Sequence, residues 1–259
     1  MVKKNKPLIL VTNDDGVQAS GLNTLIDTIR PLGEIVVVAP NVTQSGMSSA
    51  ITAFNPIRAT LLKKEEDLTV YSCTGTPVDC VKLGLNKLLD RKPDLLLSGI
   101  NHGSNAAICV VYSGTMGAAI EGCINGIPSL GISLTDHSPQ ADFSQAVKFG
   151  KLVAEKVLEE SLPEGTCLNL NIPDIPHVKG LKICSQTKGY WTKEFMEMKD
   201  PSGRTVYWLT GDLLNQEPDN MNSDEWALAQ GYAALVPLRI DMTDYSFLDN
   251  SENYRTLCS

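Results

Sequence analysis

The sequence predicts a doubly wound α/β fold: a mostly parallel, Rossmann-like sheet with helices on both faces, followed by a C-terminal β-hairpin and extension. Three observations lead there. Short runs that are apolar at every position, each ended by turn-forming residues, have the composition of strands buried on both faces of a parallel sheet. Between them lie segments with apolar residues at helical spacing, so strand and helix alternate. Beyond about residue 180 the alternation stops and paired aromatics take over. No linker, repeat or low-complexity tract divides the 259 residues, which are expected to form one domain, 1–259, with a core over about 7–184 and the hairpin and extension over about 185–259.

Leu8-Ile9-Leu10-Val11 is the first strand, ended by Thr12-Asn13-Asp14-Asp15-Gly16. Leu22, Leu25, Ile26 and Ile29 follow at helical spacing, and Pro31 with Gly33 stops that helix. Ile35 to Ala39 is a second buried strand closed by Pro40, completing a βαβ unit whose crossover should be right-handed. Val70 to Cys73 is a strand, Val78 to Leu89 a helix opened by Thr76-Pro77, and Asp94 to Ser98 a strand. A small-residue helix from Gly114 to Asn125, a strand from Ser129 to Ser133 and a long amphipathic helix from Ala141 to Glu159 continue the pattern. Tyr190-Trp191 and Tyr207-Trp208 flank Asp200-Pro201-Ser202-Gly203, which predicts a hairpin turning at that tetrapeptide. Ser223 caps a short helix to Gln230, and Tyr232 to Leu238 is the last strand.

Composition narrows the function. Lys+Arg 22 against Asp+Glu 30 gives a net charge of −8, which repels a phosphate backbone, so long nucleic acids are not expected partners. An anionic membrane surface is disfavoured for the same reason, and no run approaches the roughly 18 apolar residues of a membrane span. The seven cysteines are scattered, odd in number and without a CxxC pair, as in a chain of reduced thiols, so the expected location is cytoplasmic. A small anionic substrate remains compatible with the charge, because a bound metal inverts the local sign.

The chemistry gathers at the ends of the strands, where ligands of a doubly wound sheet bind. Asp14 and Asp15 stand side by side after the first strand. Adjacent carboxylates raise each other's pKa, a cost that a hard divalent cation removes; the same Asp-Asp-Gly is also an ordinary turn that caps a helix. Asn41 to Gly46 and Ser98 to Asn105 follow two other strands and offer hydroxyl and amide oxygens. Ser113-Gly114-Thr115 opens the small-residue helix, where free N–H groups and two hydroxyls suit a phosphate as well as plain N-capping. Other motifs fail. Gly16 to Gly21 has P-loop glycine spacing, but Leu22-Asn23 stands where Lys-Ser/Thr is required. Gly46-Met47-Ser48-Ser49-Ala50 lacks the last glycine of a nucleophile elbow. Three scattered histidines make no zinc site; His137 and His177 are expected on surface loops, and His102 draws interest only through its loop.

Taken in order, these segments resemble the SurE (survival protein E) family of metal-dependent 5′/3′-nucleotidases. The resemblance is carried by Thr12 to Gly16, Pro40 through Gln44-Ser45-Gly46, Cys73-Thr74-Gly75-Thr76-Pro77-Val78-Asp79-Cys80, Ser98 to Asn105 and Tyr112-Ser113-Gly114-Thr115. A later stretch, Ser223-Asp224 through Gly231-Tyr232 to Pro237-Leu238 and Asp241-Met242-Thr243, is also similar. Each motif alone is weak, whereas the ordered set spans nearly the whole chain and is specific.

The resemblance implies metal ligands at Asp14, Asp15, Ser45 and Asn101, and one divalent cation per subunit, Mg²⁺ or Mn²⁺. It implies hydrolysis of nucleoside 5′-monophosphates in the cytoplasm and leaves 3′-monophosphates and short polyphosphates open as further substrates. Asp14 and Asp15 are the candidate catalytic residues, with water favoured over a covalent aspartate as nucleophile. Asn13, Gly46, Asn105, Ser113, Gly114 and Thr115 are the candidate phosphate and substrate contacts. It also implies homodimers or homotetramers that exchange C-terminal segments, with the hairpin as a subunit contact. In one departure, Cys109 stands where the family usually has Asp; that position matches no metal ligand and bears on packing or substrate preference. Two rivals differ in kind. A non-catalytic metal or nucleotide sensor would use the same loops without turnover, and a haloacid-dehalogenase-type phosphatase would need Asp-x-Asp, not the adjacent pair found here.

Overall fold

The computed structural model describes residues 6–255. Its centre is a nine-stranded sheet in the order β3-β4-β2-β1-β5-β6-β7-β13-β8. The strands are β1 (Leu8–Thr12), β2 (Glu34–Pro40), β3 (Ala59–Lys64), β4 (Leu68–Cys73), β5 (Leu95–His102), β6 (Ser129–Leu134), β7 (Thr166–Ile172), β8 (Leu181–Ile183) and β13 (Ala233–Arg239). From β4 to β7 every pairing is parallel, while β3 and β13 run antiparallel to β4 and β7. The predicted doubly wound, mostly parallel sheet is present.

The all-apolar strands explain why the sheet is covered on both faces. Successive side chains point to opposite sides. Ile9, Val11, Ile35, Val37, Leu95 and Leu97 join one core cluster. Leu8, Leu10, Val36, Val38 and Leu96 join another. The first cluster is closed by α1 (Ser20–Ile29) and α4 (Ser144–Glu160), through Leu22, Leu25, Phe149 and Val153. The opposite face is closed by α2 (Pro77–Leu83) and α3 (Gly114–Ile124). Among the described residues no helix is long and apolar enough to cross a membrane.

Several boundaries differ from expectation, each for a physical reason. The helix predicted over 78–89 is α-helical only to Leu83 and continues as a wider π-type turn over Gly84–Leu88. The strand expected to stop at Ser98 continues to His102, with a register shift against β6 between Ser98 and Asn101. The long helix starts at Ser144, not Ala141. Strand β3 was not foreseen: it is an exposed edge strand whose lysines break any apolar alternation. Strand β7 escaped as well, because Asn169 and Asn171 interrupt its apolar run although both are buried.

The predicted hairpin turns at Asp200–Gly203, where Gly203 N donates to Asp200 O. It is built of two ladders. At the tip β10 (Phe195–Lys199) pairs with β11 (Thr205–Leu209). At the root β9 (Gly189–Thr192) pairs with β12 (Asp212–Asn215). Tyr190 and Trp191 therefore face Leu214 and Leu213, while Trp208 faces Met196. Ser223 caps α5 (Asp224–Ala229) as expected; α6 (Tyr245–Asp249) and α7 (Glu252–Arg255) follow β13.

Candidate active site

Strand β1 has β2 on one side and β5 on the other, and the chain winds outward from it in both directions. That makes the C-terminal ends of β1 and β5 the switch point, where the first loops of the two halves separate and leave a crevice. A cleft of about 590 Å³ opens there. Of the residues picked out from the sequence, Asp14, Ser45, Gly46, Asn101, Asn105 and Ser113 line it.

Asp14 is 3% exposed. The Thr115 hydroxyl donates to its Oδ1 at 2.6 Å. Burial pushes the carboxyl up to about 6; the Thr115 bond opposes the rise and the adjacent Asp15 adds to it. Asp15 is less buried and accepts the backbone N–H of His102 at Oδ2, 3.2 Å. Burial raises its pKa too, against the pull of that N–H and of the His102 and His137 imidazoles.

The other oxygens come from neighbouring strand ends. Asn101 is buried, and its Nδ2 donates to Gly103 O at 2.9 Å, which leaves the amide oxygen Oδ1 as its unused acceptor. Ser45 sits on the loop after β2, whose Gln44 N donates to Asp14 O at 2.7 Å and so ties the two loops together. On its far side Ser48 N and Oγ donate to Tyr112 O and Val111 O. That approach depends on Gly117, where a Cβ would stand 2.2 Å from Ser48 O. The loop is also pinned by Asp79 in α2, which accepts from Thr52 N and Oγ1 and closes a capping box with Thr76.

Three candidates lie behind the cleft wall. Both ends of the Asn13 amide are spent on Gly16, through Nδ2 to Gly16 O and Gly16 N to Oδ1. Thr115 is fully buried with its hydroxyl committed to Asp14, and Gly114 packs against the Asp14 side chain. Ser113 is the N-cap of α3, accepting from Met116 N, and still faces the cleft. Asn105 is held by a buried amide ladder: its Nδ2 donates to Ser133 Oγ, its N–H to Asn171 Oδ1, and its carbonyl accepts from Asn169.

Other lining residues escaped the sequence-based expectation. His137 lies on an exposed loop, as expected, and that loop borders the cleft: its ring lies over Gly103, where a Cβ would come within 2.1 Å of it. His102 packs edge-on against Phe143, with Nδ1 buried and unpartnered. The bend of the hairpin contributes Trp191, Glu194, Leu209, Thr210 and Gly211, and Cys109 and Tyr112 complete the wall. No local pattern could have placed hairpin residues some 90 positions beyond Asn101 in the same cleft.

Among the described residues there is no group of three or more His, Cys, Asp or Glu side chains arranged to hold a metal. Any cation held here must therefore take neutral oxygens beside the two carboxylates. Ser45 Oγ and Asn101 Oδ1 are such oxygens, and an all-oxygen set of this kind suits a hard divalent ion.

Fold and cleft define a doubly wound α/β protein with an oxygen-rich ligand site at its switch point. A family model described as Survival protein SurE matches residues 9–193. A 5′-nucleotidase SurE of Bacteroides fragilis is 51% identical over 253 residues, 98% of this chain and 99% of that protein. A second 5′-nucleotidase SurE, from Flavobacterium johnsoniae, is 46% identical over 98% of this chain and 99% of its own length. The crystal structure of the SurE protein from Aquifex aeolicus superposes with a TM-score of 0.82 at 36% identity, covering 96% of this chain and 100% of that one. The chain belongs to the SurE family.

Proposed function

We propose that the chain is a divalent-metal-dependent 5′-nucleotidase that hydrolyses nucleoside 5′-monophosphates to nucleoside and phosphate. The observation that carries this reading is the convergence of Asp14, Ser45 and Asn101, from three strand-end loops, on one cleft beside Asn105 and Ser113, with Asp15 tied to the lining residue His102. Relatives named 5′-nucleotidase SurE, collinear with it over 98% of its length, support the substrate class.

Asp14, Asp15, Ser45 Oγ and Asn101 Oδ1 would hold one Mg²⁺ or Mn²⁺. Such an ion, when bound, polarises a phosphoryl oxygen and offsets the charge that builds in the transition state. The chain's own residues do the rest. Asn105, Ser113 and the backbone at Gly46 orient the remaining phosphate oxygens. An aspartate of the pair takes the proton of the attacking water. Thr115 holds Asp14 in one orientation throughout.

The hairpin supports a second part of the proposal, a homodimer or homotetramer. One face of its outer ladder carries Met196, Met198, Val206 and Trp208, and Trp208 is 62% exposed. A two-stranded ribbon of that kind is marginal in water unless something covers it. A cytoplasmic location is the remaining part, supported by unpaired cysteines among the described residues. The deciding experiment is phosphate release from AMP or GMP with Mg²⁺ or Mn²⁺, with and without EDTA. Release that EDTA abolishes supports the reading; no release with any divalent ion refutes it.

A further inference from the structure

Asp224 is a carboxylate, 1% exposed, that the reaction above does not use. It opens α5 and ties two distant segments of the chain to that helix start. Its Oδ2 accepts from Ala107 N at 2.9 Å. Its Oδ1 accepts from Thr187 N, Thr187 Oγ1 and Glu225 N at 3.0, 2.6 and 2.8 Å. A carboxylate is buried this deeply only when its acceptor sites are filled, and here four donors fill them.

Each arm leads to the cleft. Ala107 has φ +50°, in the left-handed region that residues other than glycine avoid, and the bond to Asp224 holds it there. That bend turns the chain from Asn105, fixed by the amide ladder, into the 3₁₀ turn Ala107–Val111, which carries Cys109 to the cleft wall. Thr187, on the other arm, stands two positions before β9, and β9 carries Trp191 to the same wall. Strand β9 packs beside that turn, and Trp191 and Cys109 line the same wall. The lining thus divides by origin. Strand-end loops supply the oxygens, whereas the turn and the hairpin root supply an aromatic and a thiol suited to a flat, weakly polar group.

We propose that Asp224 is a positioning residue for the nucleoside half of the substrate: it locks the Cys109 turn to the Trp191 hairpin so that the two form one wall for base and ribose. This rests on the nucleotidase reading and adds a division of labour to it.

The test is steady-state kinetics of Asp224→Asn, which keeps the volume but turns one acceptor into an NH₂ facing N–H donors, on AMP and on glycerol phosphate, a phosphomonoester without a base, both with Mn²⁺. KM for AMP should rise roughly tenfold while KM for glycerol phosphate moves less than about twofold. Adding Trp191→Ala to Asp224→Asn should cost less on AMP than the two single effects combined. Equal losses on both substrates, or no change on either, overturn the inference. Should Asp224→Asn fail to fold by thermal melt, Thr187→Val, which removes only the hydroxyl arm, should shift the same KM ratio about twofold or threefold; an unshifted ratio overturns the inference equally. A wild-type chain that cleaves neither substrate refutes the phosphatase reading and the inference with it. One that cleaves glycerol phosphate but not AMP counts against the nucleotide substrate class and the nucleoside wall together, whereas equal losses in a chain whose wild type cleaves AMP refute the inference alone.

Discussion

The Thr115 hydroxyl donates a 2.6 Å hydrogen bond to Asp14 Oδ1, joining the first turn of α3 to the end of β1 across 101 residues of sequence. Both partners are buried, so the bond fixes which way the carboxylate turns. Thr115→Val keeps the shape and removes the donor. Groups that orient a metal ligand in this manner are worth about 10- to 100-fold in metal affinity. Mn²⁺ affinity, measured by titration calorimetry, should fall by roughly tenfold, with a far-ultraviolet dichroism spectrum like that of the parent.

Asp14→Asn goes further, since it leaves Oδ1 for Thr115 but removes the charge. Phosphate release with Mn²⁺ should fall by roughly 100-fold or more. The rise in Tm that Mn²⁺ gives the parent should disappear as well. A variant that keeps both would remove Asp14 from the site.

The same carboxyl makes a prediction about pH for the metal-free chain. Burial raises Asp14 from its ordinary 3.8 to about 6, so the folded chain holds its proton over a range in which the unfolded chain has released it. Between those values the native state binds more protons, and stability falls as pH rises. The contribution is complete below pH 3.8 and lost above about 6, and a shift of this size corresponds to at most about 3 kcal/mol. Asp79 acts in the opposite direction. Burial tends to raise it, but bonds from Thr52 and Thr76 outweigh that and leave it lowered, so its contribution is lost as pH falls. Urea unfolding in EDTA at pH 4, 5, 6 and 7 separates the two. The stability difference should move in favour of Asp14→Asn between pH 4 and about 6 and level off above that.

What could be read locally was the sheet centre and its loops. Leu8–Val11 and Leu95–Leu97 are apolar throughout because both faces of the sheet are covered, and the polar residues that follow them mark the strand ends where Asp14 and Asn101 stand. What stayed hidden depends on contacts between distant segments. Asn13 looks like a ligand in sequence, yet its amide is consumed by Gly16. Asn169 and Asn171 look like surface residues, yet they hold Asn105 from inside the sheet. Trp191 reaches the cleft only because the hairpin root folds back beside Cys109. Asp79, inside a motif visible in the sequence, was legible as part of a helix start but not as the anchor of the loop after β2.

That anchor is testable from a distance. Asp79→Ala removes the capping box of α2 and the bonds to Thr52 together. The cost should be about 2–3 kcal/mol in urea unfolding, the sum of a lost cap and an unfilled buried donor. Because Ser45 rides on the same loop, Mn²⁺ affinity should also fall, although Asp79 does not line the cleft. Metal affinity equal to the parent's in a folded Asp79→Ala chain would show that the Ser45 loop is held from the Asp14 side alone.

The outer hairpin is the subunit contact proposed above. In the β10–β11 ladder Met196 faces Trp208 and Met198 faces Val206, so one face of a thin ribbon is apolar from end to end. Met196 and Met198 are 53% and 49% exposed, and the ribbon's own turn, fixed by Asp200 and Arg204, supplies no cover. Burying such a face against a second copy would stabilise it at about 25 cal/mol per Å² of apolar area. Trp208→Glu places a charge in the middle of that face at a position open to water, so the fold of one subunit should be untouched. Light scattering at micromolar concentration should then give the mass of a smaller species than the parent's, with an unchanged far-ultraviolet dichroism spectrum. A mass equal to that of the parent oligomer would rule out this face as the subunit contact and leave the exposed C-terminal helices, with Phe247 and Tyr254 packed on each other, as the surface to mutate next.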